Sequence, residues 1–115
     1  MSENESPNTE NELAKAFAEF MNTKKALVAD PSGVSRLSIF QCLTSLGVKS
    51  ANLVLVNSMA LAEEAIAQHQ PNIVIAEYNL GKKCGLDLLV KQRQYQADPK
   101  QALFILVTGN TSQTG

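Results

Sequence analysis

The sequence has no tryptophan, only two cysteines and no long apolar run, and each absence excludes a class of protein. A membrane-spanning helix needs about 20 consecutive apolar residues, and no segment approaches that length. Cys42 and Cys84 have no cysteine or histidine partner at ligand spacing, so neither a disulfide framework nor a zinc site is expected. No secretory signal pattern is present, and we therefore predict a cytoplasmic protein with no membrane partner.

Clusters of lysine and arginine are missing as well, although the charge is unevenly divided along the chain. Residues 1–22 carry five acids and one lysine, and the remainder carries nine bases and six acids, so the two parts have net charges of −4 and +3. A nucleic-acid surface needs grouped cations, usually with aromatic side chains for base stacking. We therefore expect no nucleic-acid partner.

The first residues differ in character from the rest of the chain. Residues 1–11 are polar and acidic and have no periodicity, which predicts a disordered acidic N-terminus. Thr9 and Glu12 have the spacing of a capping box, and an amphipathic helix is predicted over residues 12–22. Because the apolar face of such a helix must pack on something, we predict an interaction surface made of Leu13, Phe17 and Phe20.

Short apolar runs alternate with helical patterns through the remaining residues, which suffice for one domain. Four runs have the continuous apolar character of strands buried on both faces of a parallel sheet, namely residues 26–29, 53–56, 73–76 and 103–107. Ser58 is a candidate N-cap for one intervening helix, and Leu86, Leu89 and Val90 mark the apolar face of another. This alternation predicts right-handed crossovers and a parallel sheet with helices on both sides.

Polar side chains follow three of the four predicted strands at the point where each strand ends. They are Asp30, Glu77 and Thr108. In an open parallel sheet the carboxyl ends of the strands meet at one edge, where ligand sites lie. Since a buried acid is costly unless it is paired, two carboxylates and a hydroxyl at this edge indicate a candidate functional site.

Three segments together resemble the receiver domains of bacterial two-component response regulators. Residues 27–36, LVADPSGVSR, are similar to the first strand and loop of that family, and residues 69–89 are similar to the third strand and its following loop. Residues 104–109, ending in Val-Thr-Gly, resemble the fourth strand with its switch residue. The resemblance extends over about residues 25–112, and the joint spacing of the segments makes it specific.

The resemblance implies a flavodoxin-like, doubly wound α/β fold with the strand order 2-1-3-4. It also implies that Glu77 occupies the phosphoacceptor position, that Asp30 belongs to the acidic pocket and that Thr108 supplies the switch hydroxyl. A protein of this kind is expected to act in a signalling pathway with a protein partner.

The sequence departs from the pattern of the family at four places. Ala29 stands where the first acid of the strand-ending pair is expected, and Glu77 stands where the family has aspartate. Gly81 replaces the proline of the following loop. The chain ends at Gly115, before the fourth helix, the fifth strand with its lysine and the fifth helix. We therefore expect that the receiver-like domain over residues 24–115 is C-terminally incomplete and is a fragment of a longer protein.

These departures weaken the chemistry that receiver phosphorylation requires, which is a placed carboxylate, a bound Mg²⁺ and a lysine that stabilises the developing charge. The extra methylene of Glu77 moves its carboxylate by roughly 1–1.5 Å, and such a misplacement can cost on the order of 100-fold in rate. Without an acid at position 29, Asp30 and Glu77 are expected to bind Mg²⁺ weakly or not at all. We predict no enzymatic activity, no catalytic residue and no resident cofactor.

Glu77 admits three interpretations. Its carboxylate can imitate the acyl phosphate by extending a negative charge toward Thr108, although it carries one charge where a phosphoryl group carries nearly two. It can instead form a stable internal pair with Lys82 or Lys83. It can also be a solvated acid without a role.

Three functions remain open. The chain can be a pseudo-receiver that works as a phosphorylation-independent interaction module, a phosphorylatable receiver switch in a phosphorelay, or a module that binds a small ligand at the same crevice. Residues 103–107 form an apolar edge strand with no protecting charge, so we also expect a homodimer or a swapped assembly that buries this strand or the N-terminal helix between chains.

Overall fold

In a computed structural model the backbone is described for residues 2–108 and the side chains for residues 9–108. The elements in chain order are α1 Ser2–Met21, β1 Ala26–Ala29, α2 Gly33–Ser45, β2 Leu53–Val56, α3 Met59–His69, β3 Ile73–Glu77, β4 Asn79–Leu80, β5 Lys83–Cys84, α4 Asp87–Tyr95 and β6 Leu103–Val107. Two short 3-10 helices lie at Ser50–Asn52 and Pro99–Gln101. No helix in this part of the chain is long and apolar enough to cross a membrane.

The main sheet has four parallel strands in the order β2-β1-β3-β6. Since β6 is the fourth predicted strand, the expected order 2-1-3-4 and the flavodoxin-like α/β fold are confirmed. The central strand β1 is buried along its whole length, whereas every residue of the edge strand β6 is partly or largely exposed. Burial on both faces, which the apolar runs predicted for all four strands, therefore holds for β1 and was wrong for the edge strand β6.

The sheet separates two apolar cores, because successive strand residues point to opposite faces. One core lies under α3 and α4 and includes Leu27, Ala29, Ile66, Val74 and Leu88. The other lies under α2 and the last turn of α1, and its buried residues are Met21, Ala26, Val28, Leu43, Val48, Ile73 and Ile75. Helices therefore flank the sheet on both sides, as predicted.

Local capping fixes the helices that cover these cores. Ser58 accepts a hydrogen bond from the Leu61 N–H at 3.2 Å, which confirms it as the N-cap of α3. At the other end of α3, Gln70 takes a left-handed conformation with φ of 49° and donates its N–H to Ile66. Pro71 follows directly and cannot continue the helix.

The N-terminal helix is present, but it begins at Ser2, well before the predicted start at residue 12. It therefore also includes most of the segment over residues 1–11 that was predicted to be disordered. Thr9 and Glu12, the predicted capping box, lie inside a continuous helix and do not begin it. A threonine within a helix lowers helix stability by only about 0.7 kcal/mol or less relative to alanine. The motif by itself therefore does not force the helix to begin at Thr9.

Gly47 is where α1 meets the rest of the domain. It follows α2 with a φ of 115°, and a Cβ atom at this position would lie 2.7 Å from the carbonyl oxygen of Ala18. The left-handed backbone and the close approach both require glycine here. Met21, at the end of α1, is buried in the second core, while Leu13 near the middle of the helix is 65% exposed. Of the predicted domain over residues 24–115, the last seven residues lie outside the described part.

Candidate functional site

The three strand-ending residues lie at one edge of the sheet. Ala29 of β1 is in register with Ala76 of β3, and Glu77 is in register with Val107 of β6. Asp30, Glu77 and Thr108 therefore stand at the carboxyl ends of three neighbouring strands, which lie about 4.8 Å apart. This is the placement that the sequence predicted, and the functional roles of the three residues stay predictions.

Asp30 is the most enclosed of the three, with 3% of its surface exposed. Its Oδ1 atom accepts a hydrogen bond from the Ser32 N–H at 2.9 Å. Its own N–H donates to the Val56 carbonyl at 3.0 Å and so extends the β1–β2 ladder by one step. An aspartate that bonds the backbone two residues ahead stabilises a turn, so part of its acceptor capacity is already used within the loop.

Arg36 is a component of this loop that the sequence reasoning missed. Its Nη1 atom donates to the carbonyl oxygens of Asp30 at 2.7 Å and Pro31 at 3.2 Å. A cation in the first turn of a helix is disfavoured by the helix dipole, and α2 begins only three residues earlier. The position of this arginine was a signal in the sequence, because a positive charge near the N-terminus of a helix requires nearby hydrogen-bond acceptors to stabilise it.

Ala29 is fully buried at the position where the resemblance predicts an acid. Its methyl group lies in the core under α3 and α4, together with Ala62, Ala76 and Leu88. An aspartate at this position would place a carboxylate among apolar side chains, where an unpaired charge is very costly. The missing acid is therefore accompanied by surroundings that favour an apolar residue.

Glu77 is half-buried and ends β3. The next residue, Tyr78, donates its N–H to the Val107 carbonyl at 2.7 Å, so the ladder to β6 continues past the glutamate. Tyr78 also accepts a hydrogen bond from the Gly85 N–H at 2.7 Å. A Cβ atom at Gly85 would collide with the carbonyl oxygen of Glu77, so only glycine allows the chain to return this close to the end of β3.

The segment between Tyr78 and Gly85 is a small antiparallel hairpin where the sequence predicted only a polar loop. Its strands β4 and β5 are joined through Gly81, whose φ of 68° is open to glycine and strained for other residues. Lys82 and Lys83 are exposed on this hairpin. A glycine in the first position of a two-residue turn was the available signal for such a hairpin.

The described residues contain no group of three or more histidine, cysteine, aspartate or glutamate side chains that could hold a metal ion. The two cysteines are free thiols, with Cys42 exposed and Cys84 half-buried. Two cavities lie away from the edge that carries Asp30 and Glu77. One of about 210 Å³ is lined by Lys25, Asn52 and His69 among others, and an open groove of about 410 Å³ lies between α1, α2 and β6.

The fold has a counterpart among solved structures. The chain is similar to an aspartate-to-glutamate mutant of the receiver domain of the histidine kinase CKI1 from Arabidopsis thaliana, with a TM-score of 0.60 and 18% identity. The similarity covers 87% of this chain and 75% of that one. No family model and no curated protein matches the chain. At this identity the likeness concerns the fold, which is that of a receiver domain.

Proposed function

We propose that this chain is an atypical receiver domain that acts in signal transduction through protein contacts and without phosphotransfer. The observation that carries the proposal is the pair of residues at neighbouring strand ends. Glu77 ends β3 at the phosphoacceptor position implied by the resemblance, and Ala29 is fully buried at the position of the missing acid. The receiver fold supports the signalling part of the proposal.

A weak metal site follows from the same residues. Mg²⁺ requires nearly octahedral oxygen ligands at 2.0–2.1 Å and tolerates little departure from that geometry. Ala29 has no side-chain oxygen, and one carboxylate oxygen of Asp30 already accepts the Ser32 N–H. The longer side chain of Glu77 would have to retract for its carboxylate to occupy the place of an aspartate. Each of these features opposes phosphorylation, which depends on a bound Mg²⁺.

In this proposal Glu77 partly imitates a phosphorylated aspartate. Its carboxylate keeps a negative charge at the edge of the sheet next to the end of β6, where Thr108 stands. The carboxylate belongs to the side chain itself, so the surface that a partner contacts would not depend on a kinase. A pair with Lys82 or Lys83 on the adjacent hairpin is the competing interpretation, and it would neutralise this charge.

Phosphorylation is tested by incubating the protein with Mg²⁺ and acetyl phosphate and measuring its intact mass. We expect no added phosphoryl group on the unaltered chain. A mass increase that disappears in Glu77→Gln would overturn the proposal and favour the phosphorylatable switch. A thermal shift produced by a nucleotide without phosphorylation would instead favour a small-ligand module.

Restoring the missing acids provides the matched comparison. Glu77→Asp shortens the acceptor and is expected to bind Mg²⁺ more tightly than the unaltered chain, whereas Ala29→Asp adds the absent acid but places it in the core under α3 and α4. Because Ala29 is fully buried, the fold of each variant containing this change must first be checked by circular dichroism. Glu77→Asp by itself leaves the core intact and is the safer variant. If neither variant gains Mg²⁺ binding, the presence of glutamate at position 77 and alanine at position 29 does not explain weak Mg²⁺ binding by the unaltered chain.

A further inference from the structure

The cavity of about 210 Å³ lies at the edge of the sheet opposite to the one that carries Asp30 and Glu77. Lys25, directly before β1, Asn52, directly before β2, and His69, the last residue of α3, form its rim. The strand order β2-β1-β3-β6 places β1 and β2 farthest from β6. A further strand beside β6 would therefore lie on the far side of the sheet and would not enter this cavity.

Below the rim the cavity is lined by apolar side chains that belong to the core. Leu27 and Pro71 are fully buried, and Ala26 and Ala65 are 1% and 6% exposed. Alanine at positions 51 and 65 of the lining leaves the space unfilled. A dry apolar cavity of about 150 Å³ is large enough to bind benzene, so the space here can hold a single aromatic ring with a substituent.

The rim of the cavity is rich in cations. The segments that supply it, residues 22–25, 49–52 and 69–72, contain three lysines and a histidine but no acid. Lys25 and His69 are exposed at the mouth of the cavity. No acid is among the described residues that line it. A concave site with cations of one sign raises the local concentration of small anions.

Backbone hydrogen bonds fix this rim before any ligand is bound. The Lys25 carbonyl accepts the N–H groups of Asn72 at 2.9 Å and Ile73 at 3.1 Å, and the Lys25 N–H donates to Asn72 Oδ1 at 3.2 Å. The carboxyl end of α3 by itself disfavours an anion, but the Ile66 carbonyl there already accepts the Gln70 N–H at 2.9 Å. The site is therefore a pre-formed pocket with an apolar floor and a few polar groups at its mouth, as small-molecule sites commonly are.

We propose that this cavity binds a small aromatic carboxylate. The ring lies against Leu27, Ala65 and Pro71, and the carboxylate accepts hydrogen bonds at the rim from Lys25 and His69. The two parts of the site select for both properties of the ligand. A neutral aromatic compound lacks the charge that the rim favours, and an inorganic anion lacks the apolar body that the floor favours.

This binding site goes beyond the proposed signalling role and does not involve Glu77, which lies at the opposite edge of the sheet. The two proposals rest on different residues, so a failure of one leaves the other standing. Glu77→Gln is accordingly a control that must not change ligand binding.

Titration of the full, isotopically labelled chain with benzoate, followed through the amide chemical shifts in NMR spectra, tests the proposal. We expect saturable shifts at Ala65 and His69 with a Kd in the millimolar range, as is usual for a ligand of so few atoms. The neutral isostere benzamide should bind at least about fivefold more weakly, the ratio that one close ion pair gives in water. Benzylamine, a cation of similar shape, and inorganic phosphate should produce no saturable shift at these residues.

Two adjacent lysines provide matched variants for the rim. Lys25→Gln should raise the Kd for benzoate at least about fivefold and leave the Kd for benzamide unchanged. Lys24→Gln is the control, because Lys24 lines the other groove and its Nζ atom lies 4.4 Å from the centre of the Phe20 ring. It should change neither Kd by more than about twofold, since a distant exposed charge is screened by salt.

Filling the cavity tests the role of its floor. Ala51→Leu enlarges an exposed residue of the lining and Ala65→Leu a buried one, and both should abolish the binding of benzoate and of benzamide. Circular dichroism establishes that each variant is folded, and the exposed site makes Ala51→Leu the safer of the two. The proposal is overturned if benzoate gives no saturable shift at the cavity, if benzamide or benzylamine binds as tightly as benzoate, if the two lysine variants behave alike, or if both filled variants still bind.

Discussion

The two faces of the central sheet are covered to different extents. On one face, α3 contacts β1 and β2 while α4 contacts β3, and the core between them contains Leu27, Ile66 and Leu88 with no exposed surface. On the other face, α2 also contacts β1 and β2, but only the end of α1 approaches the groove beside β6. Among the described residues, the second face is covered by α2 and by the end of α1 alone, so the part of the sheet beside β6 has no helix packed fully across it.

The largest expected effect concerns the face of the sheet that α3 and α4 cover, which we call the closed face. Leu88→Ala removes a fully buried side chain from the core under α4 and should lower the free energy of unfolding by about 2–5 kcal/mol. Urea denaturation followed by circular dichroism measures it. Leu86, which is 46% exposed just before the same helix, is the control, and Leu86→Ala should change stability much less. Equal losses would show that this face is not closed.

On the other, less covered face of the sheet, a single added carbon atom should disturb the packing of α1 against the residue that follows α2. Gly47→Ala places a Cβ atom 2.7 Å from the Ala18 carbonyl and strains a backbone with φ of 115°. We expect a loss of about 1–3 kcal/mol in stability, the range found for overpacked sites. Hydrogen exchange should rise in α1 and leave α3 unchanged. Gly33→Ala is the control, because its nearest contact for a new Cβ is 3.5 Å away on the Arg36 side chain.

Gln92 links α4 to the sheet on the closed face. It is fully buried, and its Nε2 atom lies within hydrogen-bond distance of three carbonyl oxygens, those of Pro71 at 3.4 Å, Asn72 at 3.1 Å and Leu103 at 3.3 Å. Its Oε1 atom has no hydrogen-bond partner among the described residues. Gln92→Leu removes the donor and the unpaired acceptor together, so we expect a loss of only about 1 kcal/mol, measured by urea denaturation.

A matched substitution on the same helix isolates this contribution. Gln94 is exposed, and Gln94→Leu should change stability by less than about 0.5 kcal/mol. Should Gln92→Leu stabilise the protein, the buried amide would be shown to cost more through Oε1 than it returns through Nε2.

The smallest effects on stability are expected for two side chains that are equally and highly exposed. Leu13 on α1 and Val90 on α4 are both 65% exposed. Leu13→Ala and Val90→Ala should each change the free energy of unfolding by less than about 0.5 kcal/mol. Thermal denaturation of dilute protein is the measurement. A large loss for Leu13→Ala that grows with concentration would indicate that this side chain is buried in an assembly.

Helix α4 shows where pattern reading reached its limit. Leu86, Leu89 and Val90 were predicted to form its apolar face, but the buried residues are Leu88 and Gln92, one turn apart. The prediction for this face was wrong because the helix begins only at Asp87 and because its core-facing side includes the polar residue Gln92. A polar residue enters a core when its hydrogen bonds are supplied by distant segments, and periodicity carries no information about them.

The candidate site divides in a similar way. Asp30, Glu77 and Thr108 could be placed at one edge from the sequence, because strand ends follow from apolar runs and parallel strands end together. Arg36 was not assigned a role, because its two acceptors are backbone carbonyls that become available only when the loop after β1 folds back. The hairpin at Gly81 was also missed, since two-residue strands are too short to show alternation.

The sequence by itself determined which segments become strands and where their polar ends meet, because a continuous apolar run is fully removed from water only in the middle of a layered fold. The order of the strands was implied by the resemblance of the sequence to receiver domains. The sequence also determined the N-cap of α3, a contact between residues three positions apart. Only the tertiary structure decided that Ala29 is enclosed, that Gln92 is internal and that Leu103 and Ile105 are left open. Those properties depend on which helix crosses which strand, and the burial of a side chain is set by neighbours that are distant in the chain.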